Sequence, residues 1–453
     1  MKNPHYVSTT NACKLCKPLG ACLAFRGIEG AVPMLHGSQG CATYMRRYII
    51  SHFREPMDIA SSSLGEKHAV YGGGQNLKQG LKNVITKFGA NMIGIATTCL
   101  TETIGDDLPM IVKEFRREME SQDKRYLPEL VTVSTPSYSG THMEGFHAAV
   151  RAVVELVATD ERPAQLINLL PGFLSPEDLR HLKEIVEDFG YPAVILPDLS
   201  MTLDGPALDD YEKIPRGGTP IDEIRLMGGA KATVEFGRTL GGRQTAGELL
   251  AKRSNVPLLP MGIPIGLRET DIFIEAMETL TGVARPARLA LERGRLVDSY
   301  VDAHKYVFGK RVVVYGEEDL VVGLTSFLVE IGIRPVLCAS GGVSGRFESA
   351  VEQVTAGILS CPPLVKEGLD FQQIEELAGE LSPDLMIGHS KGFSSAKKLG
   401  IPLIRVGFPI HDRFGGQRLL HVGYRGTQSV LDRIVNAIIE REQENSPVGY
   451  GYM

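Results

Sequence analysis

At 453 residues the chain has room for about three domains of ~150 residues each. Its 43% hydrophobic and 23% charged residues are those of an ordinary soluble globular protein, and a net charge of −6 with no Lys/Arg block argues against nucleic acid as a partner. No apolar run reaches ~18 residues and the first six residues hold no signal segment, so a cytoplasmic location with no membrane partner is expected.

Short β-branched apolar runs alternate with amphipathic stretches, the pattern of parallel α/β units. In chain order, the runs expected as strands are 92–96, 130–134, 166–170, 193–196, 232–236, 257–261, 311–315, 334–338, 385–387 and 403–406. Residues 176–189 read as a helix, because Leu179, Leu182, Ile185 and Val186 follow its period of about 3.6 residues. Ser175 before Pro176 supplies an N-cap and a proline first turn. Three blocks result. Residues 1–158 end before the acidic, proline-containing 159–163, and residues 159–310 include an irregular Asp/Pro/Gly-rich stretch at 197–218. Residues 311–453 open with Arg311-Val312-Val313-Val314-Tyr315-Gly316, the first strand of a fresh doubly wound unit. From 441 onward the tail is polar and then Gly/Tyr-rich, and is expected to be loosely ordered or docked on a partner.

Seven cysteines in a reducing compartment are expected as ligands or buried thiols rather than disulfides. Cys16, Cys41 and Cys99 each sit where an apolar run breaks into glycine or small polar residues and a helix pattern begins. The segments are Cys16-Lys17-Pro18-Leu19-Gly20-Ala21, His36-Gly37-Ser38-Gln39-Gly40-Cys41 and Thr97-Thr98-Cys99-Leu100-Thr101. The partial positive charge and free N–H groups of a helix N-terminus favour a thiolate, and soft thiolates so held suit iron–sulfur clusters. Three such ligands are one short of a Cys₄ set, so a cluster here needs another ligand or another subunit.

Plainer readings stand beside this one. Cys41 also fits a small buried residue at a loop–helix junction, and Cys99 a core residue at a strand end. Cys13-Lys14-Leu15-Cys16 alone suggests zinc or thiol redox chemistry, but no second Cys-x-x-Cys or His pair completes a zinc site. Cys13 and Cys22 read as spare thiols, Cys338 and Cys361 as structural ones. Gly72-Gly73-Gly74 and Ser340-Gly341-Gly342-Val343-Ser344-Gly345 lack Walker A or dinucleotide spacing and read as turns. The acidic loop Gly316-Glu317-Glu318-Asp319 would repel a phosphate, so neither ATP nor NAD(P)H is expected as a ligand. Asp106-Asp107 reads as a helix-start carboxylate pair rather than an acid/base dyad.

Read together, several segments are specific. They are the run from His36 to Cys41, Ser51-His52-Phe53-Arg54-Glu55-Pro56, Thr97-Thr98-Cys99-Leu100-Thr101-Glu102-Thr103-Ile104-Gly105-Asp106-Asp107, and Thr135-Pro136-Ser137-Tyr138. Later come Pro264-Ile265-Gly266-Leu267-Arg268-Glu269-Thr270-Asp271, Ile387-Gly388-His389-Ser390-Lys391-Gly392 and Arg405-Val406-Gly407-Phe408-Pro409. In this order, across nearly the whole chain, they resemble the nitrogenase component 1 superfamily on its β-like side. Asn11-Ala12-Cys13-Lys14-Leu15-Cys16, Gly27-Ile28-Glu29-Gly30-Ala31-Val32-Pro33 and the stretch 416–427 are similar to the NifN branch, the β-like half of the iron–molybdenum cofactor maturation scaffold. In one respect the chain departs from that branch. Better-known scaffold chains keep mainly the cysteine matching Cys41, whereas Cys16 and Cys99 are retained here as in catalytic β subunits, and Ser137 matches a serine that can ligate the catalytic P-cluster.

The resemblance implies three Rossmann-like α/β domains with parallel sheets flanked by helices. It also implies an α₂β₂ heterotetramer with a NifE-like α subunit, served by the ATP-dependent reductase (Fe protein), a precursor donor and apo component 1. The interface iron–sulfur cluster, [4Fe-4S] or P-cluster-like, would be bound through Cys16, Cys41, Cys99 and Ser137. The iron–molybdenum cofactor precursor would lie in the partner, where molybdenum and homocitrate replace one iron as electrons arrive through the interface cluster. No catalytic residue is assigned to this chain. The catalytic β subunit, or that of a nitrogenase-like reductase, is the alternative within the family; a metal-free α/β binding module is the alternative outside it.

Overall fold

The computed structural model describes residues 11–121, 127–210, 212–242 and 244–448. Among these residues thirteen strands form three sheets, and every strand pair is parallel. The first sheet contains β1 (Ala31–His36), β2 (Ala60–Ser61), β3 (Met92–Thr97) and β4 (Glu129–Val133), in the order β2-β1-β3-β4. In the second, β5 (Ile167–Leu170), β6 (Ala193–Ile195), β7 (Ala232–Phe236) and β8 (Leu258–Met261) run β6-β5-β7-β8. The third holds β9 (Arg311–Gly316), β10 (Arg334–Ser340), β11 (Leu364–Lys366), β12 (Leu385–Gly388) and β13 (Leu403–Arg405), in the order β11-β10-β9-β12-β13. Because helices cover both faces, central strands such as β1, β3, β5 and β7 are buried at every position, with no alternation between a buried and an exposed face.

All ten expected strands form. Three were not expected: β1, β2 and β11. Pro33 interrupts the β1 pattern, yet β1 sits inside the sheet, because its two-residue neighbour β2 pairs only with Met34 and Leu35, past the proline. The expected helix at 176–189 forms as Pro176–Asp188, where Ser175 Oγ accepts the Asp178 N–H at 3.0 Å and the Asp178 carboxylate reaches back to the Ser175 N–H. The stretch 197–218 contains no helix or strand among its described residues.

The tail expectation needs correction: the last helix runs Gly423–Asn445, so residues 441–445 are helical, and the Arg441 guanidinium donates to the Asp384 carbonyl. Residues 449–453 lie outside the described residues. This helix packs against Ala287–Val307, Leu267–Thr281 and Pro176–Asp188. At its head Asp178, buried in the second block, accepts from the His421 N–H at 2.6 Å, the Val422 N–H at 3.1 Å and the His421 Nδ1 at 2.9 Å. Near the other end of the chain, the helix Lys17–Arg26 crosses His142–Val157 in backbone contact. A methyl on Gly20 would collide with the His142 carbonyl, and one on Gly145 with that of Lys17. Among the described residues no helix is long and apolar enough to cross a membrane.

Candidate functional site

The carboxyl edge of an open parallel sheet is where α/β proteins place ligands. At this edge of the first sheet, β1 runs through Gly37 and Ser38 into the helix Gln39–Phe53, with Cys41 as its third residue. Gly37 has no side chain to spare: a methyl there would strike Thr98, which belongs to the loop after β3. That loop leads directly into the helix Cys99–Ile104, capped by Thr98 and closed by Gly105 at φ +80°. β4 leads to the single turn Ser137–Ser139. Cys16 is itself the N-cap of Lys17–Arg26. Each of the three cysteines therefore stands at the start of a helix.

Hydrogen bonds tie these starts together. The Ser137 N–H donates to Cys99 Sγ at 3.2 Å, and the Lys17 ammonium, one residue from Cys16, donates to Ser139 Oγ at 3.2 Å. Ser38 Oγ lies 3.7 Å from Cys41 Sγ. Cys16 and Cys41 are half-buried against the main core, and Cys99 is exposed. Tyr44, one turn beyond Cys41, has its phenol pushed up by burial, by Tyr48 and by Cys16. Under this edge Glu102 accepts from the hydroxyls of both Thr97 and Ser134, clamping β3 to β4 one turn below Cys99.

Among the described residues no three His, Cys, Asp or Glu side chains are grouped closely enough to hold a metal ion on their own. Cys16, Cys41 and Cys99 do not form such a group by themselves. The donor set still fits an iron–sulfur cluster: three thiols at helix starts, two of them with an N–H or hydroxyl aimed at sulfur, the kind of contact that tunes such clusters.

The other cysteines differ. All seven are free. Burial pushes the thiols of Cys13 and Cys338 up to about 12 and that of Cys22 up as well. Cys13 Sγ lies 3.8 Å from His389 Nε2, and Cys338 pairs with the Thr325 hydroxyl at 3.4 Å. Cys361 corrects its expected structural role, because it is exposed and its thiol reaches the neighbouring Pro362 carbonyl.

The loop Gly72-Gly73 caps the helix Gly74–Phe88 rather than forming a turn of its own, and in both glycine segments amides meet the protein's own carboxylates. Gly73 N–H donates to Asp106, while the N–H groups of Ser344 and Gly345 donate to Glu318 at 3.2 Å and Glu367 at 3.0 Å. Glu317 caps its own helix by accepting from Asp319 and Leu320. Of the Asp106-Asp107 pair only Asp107 caps, accepting from the Met110 N–H; Asp106 turns to His36 instead. Sequence reasoning passed over Glu102 and His36. Their one signal was the crowding of Thr, Ser and His residues at three strand ends.

A family model described as nitrogenase component 1 type oxidoreductase matches residues 16–439. The molybdenum–iron protein β chain of Clostridium pasteurianum is 34% identical over 435 residues, covering 95% of this chain and 93% of that one. The iron–molybdenum cofactor biosynthesis protein NifN of Bradyrhizobium diazoefficiens is 34% identical over 449 residues, covering 98% and 92%. Among solved structures, one titled nitrogenase Cp1 at pH 6.5 superposes with a TM-score of 0.95 at 32% identity, over 100% of this chain and 98% of that one. The chain belongs to the nitrogenase component 1 superfamily and is one of its β-like subunits.

Proposed function

We propose that this chain is the β-type half of a cytoplasmic scaffold complex for iron–molybdenum cofactor maturation, paired with a NifE-like α subunit in an α₂β₂ assembly. The observation that carries the cluster part of the reading is the placement of Cys16, Cys41 and Cys99 at three helix starts, with Ser137 bonded to Cys99. Three thiols, short of a full set, suit a cluster completed by a second chain. Cys16, Cys41 and Cys99 would hold it, with Ser137 as a further contact. When bound, such a cluster supplies a one-electron relay. The residues beneath it keep the thiols in place: Glu102 locks β3 to β4, and the Gly20/Gly145 crossing fixes the helix headed by Cys16.

The scaffold branch is supported by the opening Asn11–Cys16 residues, the 27–33 run and the 416–427 stretch. No cysteine lies between Cys99 and Cys338, which leaves the cofactor precursor to the partner subunit. The reductase, the precursor donor and apo component 1 would be the transient partners. Domain limits near 158/159 and 310/311 are part of this proposal.

A second reading is favoured by a specific observation. Cys16, Cys99 and Ser137 are kept together as a catalytic β subunit would keep them, and the identity to the catalytic chain of C. pasteurianum equals that to NifN. Purification with the co-expressed partner decides. A scaffold should carry a molybdenum-free precursor and activate cofactor-deficient component 1 when given molybdate, homocitrate and the reductase with ATP. Dinitrogen reduction by the complex itself would assign it to the catalytic branch.

A further inference from the structure

His36 ends β1, and its side chain is fully buried. Its carbonyl oxygen accepts three donors from the Cys99 segment: the Thr98 N–H at 3.2 Å, the Thr98 hydroxyl at 3.2 Å and the Thr101 hydroxyl at 2.9 Å. Its ring is engaged at both nitrogens. Nε2 lies 3.0 Å from the Asp106 carboxylate and Nδ1 2.9 Å from the Ser62 hydroxyl. The carboxylate can only accept from the ring, so Nε2 carries a proton; in the neutral ring Nδ1 then accepts from the Ser62 hydroxyl, which also lies 3.4 Å from the Gly37 carbonyl. Ser62 Oγ accepts the Gly37 N–H at 2.9 Å in turn, and Asp106 accepts the Gly73 N–H at 3.0 Å.

Three segments therefore hang on one side chain and its carbonyl. Gly37 begins the approach to Cys41. Thr98 and Thr101 flank Cys99 in sequence, and Asp106 follows the end of the Cys99 helix. A buried apolar residue of similar size would fill the space without the desolvation cost of an imidazole. What the imidazole adds is direction, since a ring held at both ends cannot rotate. The same network leaves the two cysteine loops in contact through Gly37 and Thr98.

We propose that His36 is a positioning residue that sets the spacing and aim of Cys41 and Cys99, and so tunes the reduction potential of the iron–sulfur cluster they hold. The proposal rests on the iron–sulfur reading of those cysteines. Its test uses the complete heteromeric complex, with His36→Gln, Asp106→Asn and, as a matched loss of packing elsewhere in the first block, Val84→Ala, whose side chain belongs to a separate small core. Iron per complex, melting temperature, electron paramagnetic resonance and midpoint potential are measured, together with the rate of iron loss to a chelator. His36→Gln and Asp106→Asn should shift the resonance and the potential and speed iron loss about tenfold, while Val84→Ala lowers the melting temperature and moves neither signal. If the two network variants match Val84→Ala in resonance, potential and iron loss, the positioning role is wrong. Should His36→Gln fail to assemble, Asp106→Asn decides alone. A parent complex that contains no iron would instead overturn the cluster reading itself.

Discussion

At the carboxyl edge of the third sheet, Glu317 caps its own helix while Glu318 and Glu367 accept the amides of the glycine loop after β10. At the matching edge of the first sheet, the loops after β1, β3 and β4 carry Cys41, Cys99 and Ser137, with hydroxyls and amides aimed at sulfur. Both edges are the carboxyl ends of parallel strands, in a four-stranded and a five-stranded sheet, and loop amides at both have partners. In the third sheet the carboxylates are internal, and the edge is a closed piece of structure. In the first, an amide and a hydroxyl are aimed at thiols, one of them exposed, beside the internal acceptors Ser62, Asp106 and Glu102. A shared architecture therefore says where a ligand could sit; the side chains that meet the strand-end amides say whether one is wanted.

The largest expected effect breaks the first edge. Cys41→Ala should abolish the cluster's resonance signal and most of its iron in the purified complex, whereas Cys338→Ala, at a buried thiol of the third sheet, should leave both intact. Equal iron in the two variants would erase the distinction between the edges. Next is Gly20→Ala. The added methyl must push Lys17–Arg26 off His142–Val157, an overpacking cost of about 1–3 kcal/mol or more, seen as a lower melting temperature together with partial iron loss. An unchanged melting temperature would mean that the crossing is looser than described.

A third test sharpens the other edge. Burial and neighbouring carboxylates raise the Glu318 carboxyl to about 7 and that of Glu317 to about 8, against an ordinary value of 4.5. The folded chain thus holds protons that the unfolded chain has released. This contribution is complete below about pH 4.5 and is lost as pH rises towards 8. Thermal unfolding from pH 5 to 8 should show the wild type losing stability more steeply than Glu318→Gln, and parallel profiles would refute the assignment. The smallest effect is expected at Cys361, which belongs to neither edge. Cys361→Ser should alter stability by no more than about 0.5 kcal/mol. In the isolated chain the native protein should be alkylated at Cys361 while Cys22 and Cys338 stay protected.

Local signals carried most of the fold. Runs such as 311–315 and the Leu179, Leu182, Ile185 and Val186 repeat state their own geometry, as do the breaks from an apolar run into glycine or small polar residues before a helix pattern, which placed Cys16, Cys41 and Cys99 at helix starts. What stayed hidden was set by distant partners. Pro33 argues against a strand until β2 is seen to pair only beyond it. Asp106 looks like a cap beside Asp107 until His36, 70 residues earlier, claims its carboxylate. Glu102 is an ordinary helix residue in sequence and becomes a clamp only when Ser134 arrives from the next strand. Residues 441–445 read as a frayed tail because their helix is held by packing against the second block, which no local pattern announces.

The contact between Asp178 and His421 also bears on how the chain is made. The two residues are 243 positions apart, and besides the local Ser175 N–H the carboxylate takes three donors from the later segment. At about 5–20 residues per second, a ribosome reaches His421 roughly 12–50 seconds after Asp178. Through that interval the nascent second block carries a carboxylate without the partners that later bury it. That contact can form only once the segment carrying His421 and Val422 has cleared the exit tunnel, so the burial of Asp178 waits on residues far beyond its own block.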